Sequence, residues 1–436
     1  MAATLPYTAT ERRPALAFRK STLMALTAAS LVGVETFSGA LRYFLDMAGA
    51  SALLYLPKVA CLALFCLELL SARLSRGFWL ALLSLLASSL LGMLHGASTS
   101  NAGFSLFIYS PLLFGMLCGA YLERQRHLMA WVIALCLLAS MLGILLDKYT
   151  SVPWKGYSYN LGDTTLRGNQ AWSAGGTDRL GGFARMSTTA AMMMAIYALY
   201  LTAFTRSRLF MGLLFASTLG AILLTTNKST AAAFTCSLLL LPILRRPLLC
   251  RLLFLLVVGL GLALPVLSVL LDFDAHATTG DTMLSSFYDR LVNTWPLVIQ
   301  AIDREGWGVL GAGFGMIGSS VALFPVYSAN VPYVTDNTAL YLWATLGIGG
   351  IVLYAALLPL LTGLAARRDW MSGALMTLTF CIALISWTTD VLEVPVAALF
   401  LGIAVSHLLS RASVPAFEQY LRELSRDPVF PAPRAL

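Results

Sequence analysis

Apolar stretches long enough to cross a bilayer recur along almost the whole chain, and they constrain its fold more than any other feature. The candidates are 21–39, 50–70, 78–94, 104–122, 128–146, 186–204, 209–225, 230–244, 248–271, 338–363, 371–388 and 395–410. A spanning helix needs about 20 apolar residues; 78–94 and 230–244 are short by that measure. Hydrocarbon offers no partner to a bare N–H or C=O, so such segments must satisfy their own backbone groups as helices. Only 11% of the residues are charged and mean hydropathy is +0.78. Soluble domains carry roughly 25% charged residues, and so few charges could not cover a soluble chain of this length. The expectation is an all-α integral membrane protein with about twelve transmembrane helices, built as one polytopic domain over 1–436.

Orientation follows from the basic residues, which mark the cytoplasmic side. Most of the 29 Lys and Arg fall in alternate connections: Arg12, Arg13, Arg19 and Lys20; Arg73 and Arg76; Arg124 and Arg126; Arg206 and Arg208; Arg245, Arg246 and Arg251; Arg367 and Arg368; then Arg411, Arg422, Arg426 and Arg434. This puts both termini in the cytoplasm, as tails 1–20 and 411–436. The long loops 147–185 and 272–337 fall outside, and so do twelve of the 21 acids, among them Asp147, Asp178, Asp289, Asp336, Asp390 and Glu393. The net charge of +8 is therefore a topology signal that suits an anionic lipid surface and calls for no nucleic-acid partner. Arg12-Arg13 before an apolar run resembles an export signal, but Pro14 and the later spans favour an uncleaved first helix. All seven cysteines lie in apolar spans, away from loops where disulfides form, and read as small packing groups. No metal or other cofactor is expected.

Chemistry-bearing residues gather in the two loops. The first holds Trp154, Lys155, Tyr157, Tyr159, Arg167 and Trp172, then Asp178-Arg179-Leu180-Gly181-Gly182-Phe183-Ala184-Arg185 leading into a helix. A guanidinium grips phosphate through two parallel donors, and helix N-termini attract anions. Trp154 and Tyr157 fit an aromatic belt at the membrane surface. Lys228 is the one cation of the tight turn 225–230, where it holds a phosphate or faces water. Arg42 and Asp46 stand one helical turn apart and either pair or are solvated. Lys58, inside a span, faces protein or water or snorkels to the surface.

The second loop opens with an acidic rim, Asp272, Asp274 and Asp281 around His276. Leu284, Phe287, Leu291, Trp295, Val298 and Ile302 then recur at helical spacing, giving an amphipathic helix on or in the membrane surface, started near Ser286 and kinked or split by Pro296. Tyr288 and Arg290 lie on it. The run Gly306 to Gly318 matches the dinucleotide pattern G-x-G-x-x-G twice, but without the strand and helix that pattern needs; close backbone packing or a flexible access loop explains it better. Asp336-Asn337 opens the next span. Asp336, partly desolvated there, is a candidate general base, or one of the two is an ordinary helix cap.

In this order, the Asp178 to Phe183 motif, the turn Thr225 to Thr230, Ser286 to Trp295 with Arg290, the run Gly306 to Gly313, and Asp336-Asn337 through Gly347 resemble the O-antigen ligase and Wzy-type polysaccharide polymerase superfamily, over roughly 175–365. The resemblance implies a GT-C-like, metal-independent glycosyltransferase at the periplasmic face of the bacterial inner membrane. Such enzymes take glycan from undecaprenyl diphosphate while arginines hold the leaving group. Carried over, Arg179, Arg185, Arg290 and Lys228 would bind diphosphate, although relatives commonly have arginine at the place of Lys228. Asp336 would take the acceptor proton, and Asn337, Trp172 and Tyr288 would contact sugar. Ligases have histidine at the place of Asp336; that departure, with the pattern around Trp172, Arg179 and Phe183, favours an exopolysaccharide polymerase, whose acceptor is another lipid-linked repeat unit. A chain-length regulator and a flippase would be its partners. The alternatives are an O-antigen ligase acting on lipid A-core, a lipid-linked oligosaccharide transporter or flippase, and a nonenzymatic assembly partner. A transporter would show two similar halves and a midplane site.

Overall fold

A computed structural model of the protein describes residues 20–71, 76–161, 164–174, 177–243, 246–273, 285–326, 334–367 and 369–412. The residues before 20 and after 412, and with them Arg73, Asp163, Arg245, the rim of Asp274, His276 and Asp281, and Arg368, lie outside the described residues. The helices run in order as α1 (Lys20–Thr36), α2 (Ser38–Met47), α3 (Leu56–Ser71), α4 (Arg76–Leu94), α5 (Thr99–Arg124) and α6 (Arg126–Tyr149). Two short β-ribbons follow, and then α7 (Ser187–Leu201), α8 (Arg208–Leu224), α9 (Lys228–Ile243) and α10 (Pro247–Leu270). The second loop contributes α11 (Ser285–Asp289), α12 (Trp295–Arg304) and α13 (Ser319–Leu323). The chain closes with α14 (Thr338–Leu346), α15 (Ile348–Ala355), α16 (Leu357–Ala365), α17 (Trp370–Ile385) and α18 (Pro395–Ala412).

Six of the described segments are long and apolar enough to cross a membrane: 51–71, 77–94, 99–124, 126–149, 247–270 and 348–365. A seventh arises if α1 and α2, bent by 86°, form one span, and α7, α8, α17 and most of α18 are shorter apolar helices. The surface agrees with lipid as solvent. Leu70, Leu80, Leu83, Trp131, Leu213 and Leu248 are each more than half exposed. A water-soluble monomer rarely shows so continuous an apolar face. The protein is an all-α, membrane-embedded helical bundle.

Its core is α7, buried without a break from Ala190 to Tyr200, with α17 and α18 against it. The tightest contact joins α5 to α18. Leu399 O would lie 2.5 Å from a Cβ at Gly115, Leu112 O 2.4 Å from one at Gly402, and Ser406 Cβ 2.6 Å from one at Gly119. Small residues four apart on each helix thus let two backbones touch, which is how helices gain contact where lipid already matches their apolar side chains. At the end of the bundle away from the long loops, His407 is buried between Glu123 and Ser372, and Arg367 donates to the carbonyls of His407 and Leu408 at 2.9 and 2.7 Å.

Short helices were expected in both long loops; the first holds two antiparallel ribbons instead. Strands β1 (Ser158–Leu161) and β2 (Thr164–Arg167) pair with Ser158 opposite Arg167, and β3 (Trp172–Ala174) and β4 (Thr177–Arg179) with Trp172 opposite Arg179. Each register leaves a two-residue connection, Gly162-Asp163 and Gly175-Gly176, dipeptides that favour hairpins. Trp154, expected in a surface belt, is buried against Ala40 and Val152 and donates its indole N–H to Gly182 O at 2.8 Å. Tyr157 bonds Asp46, so Asp46 is spent there and does not pair with Arg42.

The second loop contains short helices as expected. Leu291, Trp295, Val298 and Ile302 are its buried stripe. Pro296 does not break the helix. Residues Arg290–Thr294 form one wider π turn, in which Trp295 N donates to Arg290 O. The extra residue accommodates a ring that lacks an N–H and would clash with the carbonyl four residues back. The glycine run packs as backbone against backbone: a Cβ at Gly313 would stand 2.2 Å from Gly92 N, and one at Gly311 2.4 Å from Thr345 O. Phe314 N donates to Ser88 O at 3.0 Å, Ala312 N to Ala344 O at 2.7 Å and Ile348 N to Val309 O at 3.0 Å. This run pins Gly347, where the expected single span 338–363 breaks into α14 and α15, with a second break at Ala356.

Candidate active site

The loop-bearing end of the bundle brings Arg290 and Asp336 together across 46 residues of sequence. Arg290 Nη2 lies 3.1 Å from Asp336 Oδ2. Its Nη1 donates to Ser286 O at 2.8 Å and Ser286 Oγ at 2.7 Å, one helical turn back. Its Nε is sealed from solvent without a partner. The guanidinium is therefore held by its own helix on one side and by a single carboxylate on the other. The π turn starts at Arg290, so the local widening forced by Pro296 sets where this side chain emerges.

Asp336 and Asn337, equivalent candidates by sequence, have different roles. Asn337 is the cap: its Oδ1 accepts from Leu340 N at 2.8 Å, and its Nδ2 donates to Gly261 O at 3.3 Å and Trp387 O at 3.2 Å. It is wholly buried, so the expected sugar contact is corrected to a structural one. The cap frees Asp336, whose backbone sits in the left-handed region at φ +50° and turns its side chain away from the helix. Its side chain keeps 33% of its exposure. Burial pushes its pKa up; Arg290 pulls it down and Asp289 adds to the rise, and the net direction is up.

Two further acids back it. Thr335 Oγ1 donates to Asp390 Oδ1 at 2.6 Å, linking the residue beside Asp336 to the turn before α18. Burial and the neighbouring Glu393 carboxylate push Asp390 up to about 7. Glu393 is also raised, by burial above all; it accepts from Ser319 N at 2.9 Å and Ser319 Oγ at 2.5 Å. The turn of Asp390 and Glu393 begins 54 residues beyond Asp336 in sequence; only the fold sets them behind it.

An apolar cavity of ≈180 Å³ is lined by Tyr109, Leu112, Thr338, Leu342, Tyr354 and Leu392, among others; Thr338 follows Asp336 by two residues, and Leu392 stands between Asp390 and Glu393 in sequence. Thr338 ties it to the acids: its Oγ1 accepts from Val391 N at 3.0 Å and donates to Thr389 O at 2.8 Å. The cavity wall and the site thus share two stretches of backbone, 336–338 and 390–393.

The remaining expected residues lie elsewhere. Tyr288 packs edge-on against Phe273, ring centres 5.9 Å apart, two residues before Arg290. Arg179 is half-buried on β4, with Nε sealed and unpartnered. The backbone of Trp172 pairs with it; the Trp172 side chain lies outside the described atoms. Lys228 is the exposed first residue of α9, beside a cap by Asn227. Arg185 donates through Nε to Arg167 O at 3.2 Å and sits near Arg42 of α2. Among the described residues, neither Arg179 nor Arg185 shares a hydrogen bond or ion pair with Arg290 or Asp336. Lys58, open between two readings by sequence, pairs with Glu35 at 2.8 Å.

The motif Asp178 to Arg185 is anchored firmly. Gly181 N and Gly182 N each donate to Asp147 Oδ2 at 3.0 Å, Lys155 bridges Asp147 and Asp178 at 3.5 and 2.9 Å, and Gly39 N donates to Phe183 O at 2.8 Å. It is clamped between the end of α6 and the start of α2. Among the described residues, no group of three or more His, Cys, Asp or Glu is placed to hold a metal ion. No protein-family model matches this sequence, and no curated protein matches it.

Proposed function

We propose that this protein is a polysaccharide polymerase, a metal-independent, GT-C-like glycosyltransferase that moves glycan from undecaprenyl diphosphate onto the terminal sugar of another lipid-linked repeat unit. In this reading it crosses the bacterial inner membrane about twelve times, with both termini in the cytoplasm and the two long loops in the periplasm. A chain-length regulator and a flippase are its natural partners. The observation that carries the reading is the Arg290–Asp336 pair, with an apolar cavity whose wall includes Thr338, two residues after Asp336: one cation for a leaving diphosphate, one carboxylate for a proton, and an apolar space for a polyprenyl segment.

The chemistry balances on these groups. The acceptor hydroxyl oxygen attacks the anomeric carbon. The bond from that carbon to the diphosphate oxygen breaks, and the diphosphate leaves with the electron pair. Arg290 offsets the charge that develops there. Asp336 takes the hydroxyl proton. Without substrate, Arg290 neutralises Asp336; a phosphate competing for the guanidinium leaves the carboxylate more basic when the acceptor needs it. Burial and the Asp289 charge keep Asp336 above the usual carboxylate range.

The test uses full-length protein in detergent, an undecaprenyl diphosphate-linked repeat unit, and chelator throughout, with products resolved by gel. A ladder of lengthening glycan, lost in Arg290→Ala, is expected. No ladder from any repeat unit, together with transfer to lipid A-core, would replace polymerase by ligase. Neither product would remove the glycosyltransferase reading.

A further inference from the structure

A second cationic site lies at the same end of the bundle, around the bend between α1 and α2. Arg42 Nη1 donates to Tyr159 Oη at 2.8 Å, and Tyr159 Oη lies 3.4 Å from Tyr55 Oη. The Arg42 guanidinium stands 6.0 Å from the centre of the Tyr55 ring, and its Nε is sealed from solvent without a partner. Arg185 faces the same groups: burial, and then the charge of Arg42, lower its pKa, while Tyr159, Tyr55 and Glu35 oppose the shift.

The charges here do not balance. Among the described residues Glu35 is the carboxylate whose charge reaches both arginines, and Lys58 holds it at 2.8 Å. Among the described residues neither Arg42 nor Arg185 has an ion pair. Two guanidinium groups therefore repel each other in a half-buried setting where screening is weak, and tyrosine hydroxyls supply only neutral partners. Such an arrangement leaves net positive charge that an anion would offset. A phosphate carries about −1.5 to −2 at pH 7, which matches the two unbalanced cations. The cleft lined by Arg42, Ser51, Leu54, Tyr55 and Tyr159 measures only ≈10 Å³, so an anion seats at its mouth, between the arginines. The clamped Asp178 to Arg185 motif holds Arg185 in place: Arg185 N donates to Ser38 Oγ at 3.1 Å.

This site is not the Arg290–Asp336 site. Among the described residues no hydrogen bond or ion pair joins Arg42, Arg185, Tyr55 or Tyr159 to Arg290 or Asp336. We propose that Arg42 and Arg185, with the hydroxyls of Tyr55 and Tyr159, hold the phosphate or diphosphate headgroup of an amphiphile at a second site. On the polymerase reading, which this inference deepens, two lipid-linked substrates must be held at once, and this site takes the headgroup of the one that is not bound by Arg290.

Binding separates the inference from that reading, because it requires no chain growth. The background is full-length Arg290→Gln in detergent, which weakens the first site. Sodium pyrophosphate and undecaprenyl diphosphate are titrated separately. Both should bind, and adding Arg185→Gln or Arg42→Gln should weaken each probe at least about tenfold, the scale of a lost charge-assisted hydrogen bond. Arg185→Lys, which keeps charge but loses the fork, should fall between. Without ligand, Arg185→Gln should unfold at the same temperature or higher, because repulsion is relieved; a purely structural arginine would lower it. Arg185→Gln carries the test if loss of the Tyr159 bond unfolds Arg42→Gln. Equal binding of both probes with and without Arg185→Gln overturns the site. Weaker pyrophosphate binding with unchanged lipid binding overturns the amphiphile. A missing glycan ladder alongside intact, arginine-dependent binding would sink the polymerase reading and leave this site standing.

Discussion

Replacing Asp336 by Asn should separate catalysis from stability. Asparagine is nearly isosteric and also tolerates the left-handed backbone at φ +50°, so no strain is introduced. The helix cap is untouched, because Asn337 supplies it. What changes is charge. The ion pair with Arg290 is 19% and 33% exposed on its two sides; after solvent screening it contributes about 0–1 kcal/mol. Burial works against the ionised carboxylate and wins, since the net pKa shift is upward. Removing the charge should leave the unfolding temperature unchanged or slightly higher. If Asp336 takes the acceptor proton, the rate should fall by about 10²–10⁴, the usual worth of a placed general base. Asn337→Ala is the contrast. It removes the cap, about 0.5–2 kcal/mol, and leaves the buried carbonyls of Gly261 and Trp387 without a donor, about 1–3 kcal/mol more. The assay pairs single-turnover transfer from an undecaprenyl diphosphate-linked unit with thermal unfolding followed by tryptophan fluorescence. An Asp336→Asn protein within threefold of the parent rate would refute the base. One that loses activity only in proportion to lost folded protein would show that the carboxylate is structural.

The buried acid behind the site gives a pH dependence. Asp390 is raised to about 7 from an ordinary 3.8, so its protonated form is the one that suits the fold; its contribution to stability is complete below about pH 4 and is lost as pH rises through about 7. The unfolding temperature should therefore decline across that window, and Asp390→Asn, which still accepts from Thr335, should flatten this part of the profile. Gly313→Ala should destabilise by at least about 1–3 kcal/mol, because its Cβ would fall 2.2 Å from Gly92 N at a φ of +102°; denaturation in detergent measures it, and a neutral variant would mean that the glycine run is loose.

Much of this protein was legible in residue order because lipid imposes local rules. Runs of apolar residues must be helical, so the class follows from composition and length alone. The stripe Leu291, Trp295, Val298 and Ile302 announced a helix with one buried face; the lack of a strand before Gly306 left backbone packing or a flexible access loop, and the fold shows packing. The ribbons at Gly162-Asp163 and Gly175-Gly176 were also written in the sequence, as hairpin dipeptides, but four-residue strands show too little alternation to stand out among aromatic and polar neighbours. Adjacent residues such as Asp336 and Asn337 could not be told apart, because which one caps α14 depends on Gly261 and Trp387, brought there by other helices. The partition of the arginines was beyond reach for the same reason. Arg290 meets Asp336, while Arg185 meets Arg42, 143 positions away in sequence. Hydrophobicity and helix period act over a few residues and are carried by the sequence itself; a charge takes its meaning from whatever lies within a few ångströms, and only the packed bundle decides that.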